Sequence, residues 1–318
     1  MHTRYFVLMM GIVLVACSAS TESPPTAIPQ EASPPEPTTT QVKPTATQVD
    51  STATKVEPSA TIEPIDLPER ITESNKSDMV LIPAGEFQMG SKVGGSGEQP
   101  IHSVWLESYY IDLFEVTNEQ FANFLVSEGN QEEGGDNWLD ADSSSLHIIS
   151  SEEDWQVEEG YEAHPVIEVT WYAANAYCQW RGARLPMEAE WEKAARGAIF
   201  EDGRVYPWGI GEIDYEKANF NRYYEETLPV GNLPAGVSSY GVFDMAGNVA
   251  EFTADWYDRD YYSNSTQENP SGPETGDMRV VRGGSFFDQP QLLLSTYRLG
   301  VNPNWSNNVT GFRCVLSP

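Results

Sequence analysis

Arg184-Leu185-Pro186-Met187-Glu188-Ala189-Glu190-Trp191-Glu192-Lys193-Ala194-Ala195-Arg196-Gly197 reads as a helix from about Pro186 to Arg196. Proline in the first turn presets φ, the carboxylates meet the positive end of the helix dipole, and Gly197 stops the run. Working upstream, Thr170 caps a second helix that carries Trp171, Ala174, Tyr177 and Cys178 along one side and ends at Gly182. Thr117 and Gln120 have capping-box spacing for another, with Phe121, Phe124 and Leu125 on one face and Gly129 as its stop. Residues 130–163, between these helices, are acidic and aperiodic around Trp138 and Trp155 and read as a long surface insertion. Nearer the N-terminus, Met79 to Met89 reads as a first hairpin of two short strands about Pro83-Ala84-Gly85, and His102 to Phe114 alternates as a half-buried strand. Downstream of 198 the chain is rich in Gly, Pro, Asn and aromatic residues, with short strands expected at Gly241–Asp244, Arg279–Gly283 and Gly311–Val315. Helices set among short strands and long loops indicate an α+β domain, irregular and loop-rich, and not a βαβ repeat.

The N-terminal flank is of another kind. Arg4 followed by the apolar run Tyr5 to Ala16 reads as a signal peptide over 1–16, too short to span a bilayer stably. The run ends Leu14-Val15-Ala16-Cys17, a lipobox at which Cys17 is lipidated; an ordinary secretory signal would leave the placement of Cys17 unexplained. Residues 17–75 are dominated by Pro, Thr, Ser, Ala and Glu with almost no aromatics, so they read as a disordered stalk unable to offset chain entropy. The folded domain is then expected over 76–318, exported and lipid-anchored to the outer face of a bacterial membrane, at the cell surface or outer membrane.

With 18 Lys and Arg against 48 Asp and Glu, the formal charge is −30, which argues against a nucleic-acid or anionic-lipid surface and favours solubility and cation binding. Beyond Cys17 only Cys178 and Cys314 remain, enough for one disulfide in an exported protein.

The folded part resembles the formylglycine-generating enzymes, the sulfatase-modifying factor family. The resemblance rests on collinear segments: Met79 to Gly90, Glu115 to Phe121, Arg184 to Glu192, Tyr206 to Gly209, Asp244 to Phe252, Arg282 to Phe286 and Gly311 to Cys314. It implies a variant of the C-type lectin fold, and it implies that Cys178 and Cys314 form a structural disulfide. One departure is Met187, which stands where the family often has a Thr helix cap, a loss of about 1 kcal/mol.

Members of the family oxidise cysteine with O₂ on a copper(I) ion held by two thiolates, soft ligands suited to a soft ion. The matching positions here are Asp288 and Leu293, and leucine has no donor atom. Copper is therefore not expected. For His102, His147 and His164 a surface or core-satisfied role outweighs metal ligation. Ser285 is the position the family nominates for the active-site pocket, but with no histidine evident to activate it, its hydroxyl is expected to satisfy a tight turn.

Calcium does carry over. The resemblance implies a site formed by the carboxylates of Asp244 and Glu251 and the carbonyls of Gly247 and Val249, a hard oxygen set. A second site beginning at Asn219 and Phe220 has its later acidic loop shortened. The family's groove falls on Phe287 to Gln291 and Asn302 to Val309, which makes Phe287, Asp288, Gln291, Asn304, Trp305 and Asn307 candidate ligand contacts.

Three functions follow. The first is a calcium-stabilised binding module for a peptide, glycan or exported protein. The second is an oxidase or other oxidoreductase of the family acting on exported proteins. The third is a retroelement-diversified binding protein, suggested by the asparagine-rich stretch before Gly311-Phe312-Arg313. The missing thiolates favour the first, because fold does not imply function once site residues have changed.

Overall fold

The computed structural model describes residues 68–72, 77–92, 94–151, 154–198 and 205–318. The signal peptide at 1–16, the lipidated Cys17 and the stalk before residue 68 lie outside the described residues. Folded chain begins earlier than expected. β1 (Arg70–Thr72), inside the segment read as stalk, pairs antiparallel with β2 (Asp78–Ile82), Ile71 opposite Met79. A three-residue strand is lost when composition is averaged over a Pro- and Thr-rich window.

β3 (Gly85–Met89), β4 (His102–Leu106), β5 (Tyr109–Asp112) and α1 (Asn118–Glu128) follow. The expected first hairpin does not form. β2 pairs with β5 and β3 with β4, in different sheets. Pro83 has no N–H to offer a ladder, and Gly85 at φ 143° lets the chain turn the corner. The single strand read from His102 to Phe114 is likewise broken between Leu106 and Tyr109, so that each half serves one sheet.

Beyond α1, β6 (Glu132–Glu133) pairs with β7 (Asp136–Asn137), and β8 (Ile148–Ser150) with β9 (Trp155–Val157). These belong to the stretch read as a surface insertion, which in fact supplies core. Trp138 stacks on Phe124 with centroids 5.2 Å apart, and Leu139 and Ile148 are buried in the same cluster. Its acidic residues cover the outer side and mask the few apolar anchors.

α2 (Trp171–Trp180) and α3 (Glu188–Arg196) precede β10 (Ala250–Trp256), β11 (Arg279–Arg282), β12 (Arg298–Val301), β13 (Thr310–Gly311) and β14 (Val315–Leu316). One sheet has the order β1-β2-β5-β14 and the other β12-β11-β10-β13. Gly241–Asp244 is not a strand, because Gly241 (φ 83°) and Asp244 (φ 58°) are left-handed. β10 escaped the sequence because Ala-Glu-Phe-Thr-Ala-Asp-Trp looks polar, yet Glu251, Thr253 and Asp255 are all buried. Among the described residues no helix is long and apolar enough to cross a membrane.

The helix caps follow local chemistry with one exception. Thr117 and Gln120 exchange side-chain-to-backbone bonds as a capping box, and Thr170 accepts from the Ala173 N–H. α3 lacks a hydroxyl at Met187 but loses no cap. The Glu188 N–H donates to Asp255 Oδ2 at 2.7 Å, and the Met187 N–H to Glu190 Oε2 at 2.7 Å. The strand β10 caps the helix.

The charges of α3 face inward. Glu188, Glu190, Glu192, Lys193 and Arg196 are all buried. Glu192 accepts from the Gly90 N–H at 2.8 Å, from Arg196 at 2.9 Å and from Arg282 at 2.6 Å. Glu188 takes Arg298 through two bonds of 2.7 and 2.6 Å, with Arg282 at 3.2 Å. Lys193 donates to the carbonyls of Pro83 and Gly85, and burial pushes its ammonium down to about 8. Cys178 of α2 is bonded to Cys314, the expected pair, 136 residues apart in sequence. A closure of that length stabilises by roughly 4 to 5 kcal/mol on chain-entropy grounds.

Replacing Arg282 by Met leaves two buried carboxylates short of a partner and is expected to cost about 3 to 5 kcal/mol in urea unfolding; a cost below about 1 kcal/mol would refute the network's role. Asp255 gives a pH test. Burial, reinforced by the charge of Glu188, pushes its carboxyl up to about 8. From its ordinary pKa of about 3.9 up to that value, the folded chain holds a proton the unfolded chain has released, so stability falls as pH rises through the window. In Asp255→Asn the amide oxygen still accepts from Glu188, and that slope should flatten in melts run from pH 4 to 9.

Candidate functional site

The loop between Asp244 and Glu251 is shaped by left-handed residues at Asp244 (φ 58°), Gly247 (φ 84°) and Asn248 (φ 64°). A Cβ on Gly247 would lie 2.2 Å from the Asn219 carbonyl, so only glycine fits where the two segments cross. Asn248 ties the loop down. Its amide donates to Glu115 Oε2 at 2.7 Å, and its oxygen accepts from the Leu228 N–H at 2.8 Å.

Around this loop three carboxylates meet one guanidinium. Arg313 grips Glu251 through two bonds of 2.7 Å, and Trp191 Nε1 adds a third donor at 2.8 Å. Glu115 accepts from Asn248 and from the Val249 N–H, and Asp244 from the Gly231 N–H at 2.6 Å. Burial and the neighbouring Asp244 and Glu251 raise the Glu115 carboxyl well above its ordinary range, and burial pushes Asp244 up to about 6. The excess negative charge is what a bound cation would neutralise. Glu115 and Arg313 were not singled out as site residues; only their places in the Glu-Val-Thr and Gly-Phe-Arg motifs marked them.

Of the four expected calcium ligands, Asp244 and Glu251 stand at opposite ends of one turn, and Glu251 is largely committed to Arg313. Among the described residues no group of three His, Cys, Asp or Glu side chains forms a ready-made metal cage. A cation here would compete with Arg313 and Trp191 for Glu251 and would otherwise draw on Asp244 and on backbone carbonyls of the curled loop, hard oxygen donors of the kind calcium takes. At the second family position, Asn219 is buried with Oδ1 unbonded while its amide donates to the Glu226 carbonyl.

Ser285 is buried, and its hydroxyl donates to Asp288 Oδ2 at 2.8 Å. The Ser285 N–H donates to the same oxygen, closing a tight turn. Asp288 thus braces its own loop through Oδ2. Leu293 is fully buried among Tyr206, Ala218, Phe220 and Ala246, so a hydrocarbon plug fills the second position. These two residues do not fit a copper(I) ion. The space left beside Arg282, Asp288, Tyr297 and Leu299 is about 50 Å³.

The expected groove residues engage different neighbours. Phe287 is 51% exposed and carries the Arg222 guanidinium 4.5 Å over its ring, while Gln291 donates to Gln289. Asn304 donates to the Gly134 carbonyl at 2.6 Å, and Asn307 accepts from the Val309 N–H, so these amides brace the loop itself. Trp305 is 55% exposed. Each of the three described histidines has a partner: His102 the Pro100 carbonyl, His147 the Glu158 carboxylate and His164 the Thr227 hydroxyl.

Comparison with known proteins adds the following. Residues 65–318 match the sulfatase-modifying factor enzyme 1-like domain. The chain is 41% identical over 241 residues to the serine/threonine-protein kinase pkn1 of Chlamydia caviae, covering 75% of this chain and 38% of that protein. It therefore spans well under two thirds of that kinase's length. It is 33% identical over 300 residues to the formylglycine-generating enzyme of Thermomonospora curvata, covering 80% of this chain and 98% of that one. Among solved structures, variable protein 1 of Treponema denticola superposes with a TM-score of 0.61 at 23% identity, covering 79% and 100% of the two chains. That likeness is one of fold.

If Ser285 serves only its turn, Ser285→Ala should cost about 1 to 2 kcal/mol in urea unfolding through the lost bond to a carboxylate. Ligand binding, measured on the same preparation, should be unchanged.

Proposed function

The chain belongs to the sulfatase-modifying factor family, and from that premise we propose that it is a recognition module without copper-dependent cysteine oxidation. The observation that carries this reading is the pair of positions following Gly283-Gly284-Ser285: Asp288 offers a hard carboxylate, bonded through Oδ2 to its own turn, and Leu293 lies in hydrocarbon. In the same reading the domain is calcium-stabilised, exported, and held by lipid on Cys17 at the outer face of a bacterial membrane. Asp244 and Glu251, with the carbonyls of Gly247 and Val249, would hold the ion. Its charge would offset the crowded carboxylates of Glu115, Asp244 and Glu251.

Sequence identity to a formylglycine-generating enzyme supports the alternative, an oxidoreductase acting on exported proteins. The chemistry of the two positions weighs against it, since neither side chain replaces a thiolate.

The decisive test loads the purified chain with Cu(I) under air and adds a peptide bearing Cys-X-Pro-X-Arg. Mass spectrometry is expected to show no formylglycine above a metal-free control; conversion would make the protein an enzyme. Calcium at about 100-fold above its dissociation constant should stabilise the fold by about 2.7 kcal/mol relative to EGTA, and Asp244→Asn should remove most of that gain. An unfolding curve indifferent to calcium would remove the ion from the proposal.

A further inference from the structure

A cleft of about 270 Å³ is walled by five separate parts of the chain. They are the 130–163 stretch through Ser144 and His147, Ile167, the turn at Glu225 to Thr227, Phe286, and Asn308. None of the six groove residues expected from sequence lines it, although Phe286 and Asn308 are neighbours of two of them.

The walls are braced from behind. His147 Nδ1 lies 2.9 Å from Glu158 Oε2, so in the neutral ring the proton sits on Nδ1 and Nε2 is an acceptor. The same ring is stacked on Tyr161 with centroids 3.4 Å apart, and the Tyr161 hydroxyl donates to Glu226 Oε2 at 3.0 Å. On the other side of Tyr161, His164 Nδ1 holds the Thr227 hydroxyl at 2.9 Å. Glu225 is left-handed at φ 70°, a conformation that persists in a non-glycine residue only where the surroundings impose it. Side chains from distant segments are therefore fixed before any ligand arrives, which lowers the entropic cost of binding.

The lining selects a chemical class. It contains no Lys or Arg, and it contains two carboxylates, so phosphate, sulfate and carboxylate ligands are repelled. Acceptors dominate through Glu225, Glu226 and His147, while Ser144, Thr227 and Asn308 can accept or donate. Phe286 provides an apolar wall. The volume lies just below the range of ligand pockets, roughly 300 to 1,000 Å³, room for one ring and no more. A donor-rich, neutral, polyhydroxylated ring with one C–H face meets all of these conditions. An amine would gain little, because Glu225 and Glu226 are both exposed to water and such ion pairs contribute about 0 to 1 kcal/mol.

We propose that this cleft binds a single neutral sugar residue, with its hydroxyls directed to Glu226 and His147 and its C–H face against Phe286. The proposal rests on the reading of the domain as a recognition module and names the ligand class. The test is saturation-transfer NMR and calorimetry on the full chain with galactose, glucose, mannose and N-acetylglucosamine, and with Nα-acetyl-lysine amide as a cationic control. At least one monosaccharide should bind, and Glu226→Gln and His147→Ala should each weaken it by about 10-fold or more. Tyr161→Phe, which keeps the stack and frees Glu226, should weaken it less and reports that the wall still folds. Three outcomes overturn the proposal: no sugar binding by the folded chain, binding of the amine in its place, or sugar binding indifferent to both substitutions. None of these bears on copper oxidation or calcium, so a failure here is separable from a failure of the functional reading.

Discussion

The buried ion network of α3 is the constraint on which the fold depends. Loop-rich domains have little hydrogen-bonded lattice to hold distant segments in register, and apolar packing is non-directional. Here the directional work is done by charges. Glu192 joins the Gly90 amide to Arg282 of β11, and Glu188 joins Arg298 of β12 to Arg282. Lys193 holds the Pro83–Gly85 corner between two sheets. Such pairs return little net stability against hydrophobic replacements, because desolvation is costly. Their value is specificity: a misplaced loop strands a buried charge, whereas a misplaced leucine finds other hydrocarbon.

The same economy appears at the 244–251 loop. Arg313 and Trp191 converge on Glu251, so the C-terminal Gly-Phe-Arg-Cys segment, α3 and the loop share one carboxylate. Next along the chain, Cys314 bonds to Cys178 of α2. Two consecutive residues thereby fasten this segment to the rest of the fold, Arg313 to strand β10 by charge and Cys314 to α2 by covalent bond. The crowding of Glu115 and Asp244 about this anchor, which raises both carboxyls, is the cost of the arrangement.

Much of the architecture was legible in the sequence. The three α-helices of the described residues, their stops and the caps of α1 and α2 follow from residue order, since capping and amphipathic spacing are local. What escaped was non-local. The corner at Pro83 to Gly85 looks like a hairpin turn until the partners of β2 and β3 are known. β10 looks polar because its Glu251, Thr253 and Asp255 are satisfied by residues far away in sequence. Trp138 was hidden by acidic neighbours that face outward. At the site, Leu293 was readable as a residue without a donor, but that it plugs a cluster of aromatic and apolar side chains was not. The cleft by His147 was invisible for the same reason, being assembled from five segments.

The half-cystines of Cys178 and Cys314 have one more consequence. Apart from Cys17, the sequence holds no other cysteine, and positions 288 and 293 carry aspartate and leucine. Once the bridge has closed, the folded domain offers no thiolate to attack a disulfide and none to be oxidised. Both half-cystines are fully buried, so the bridge itself is shielded from attack by a thiolate in solution.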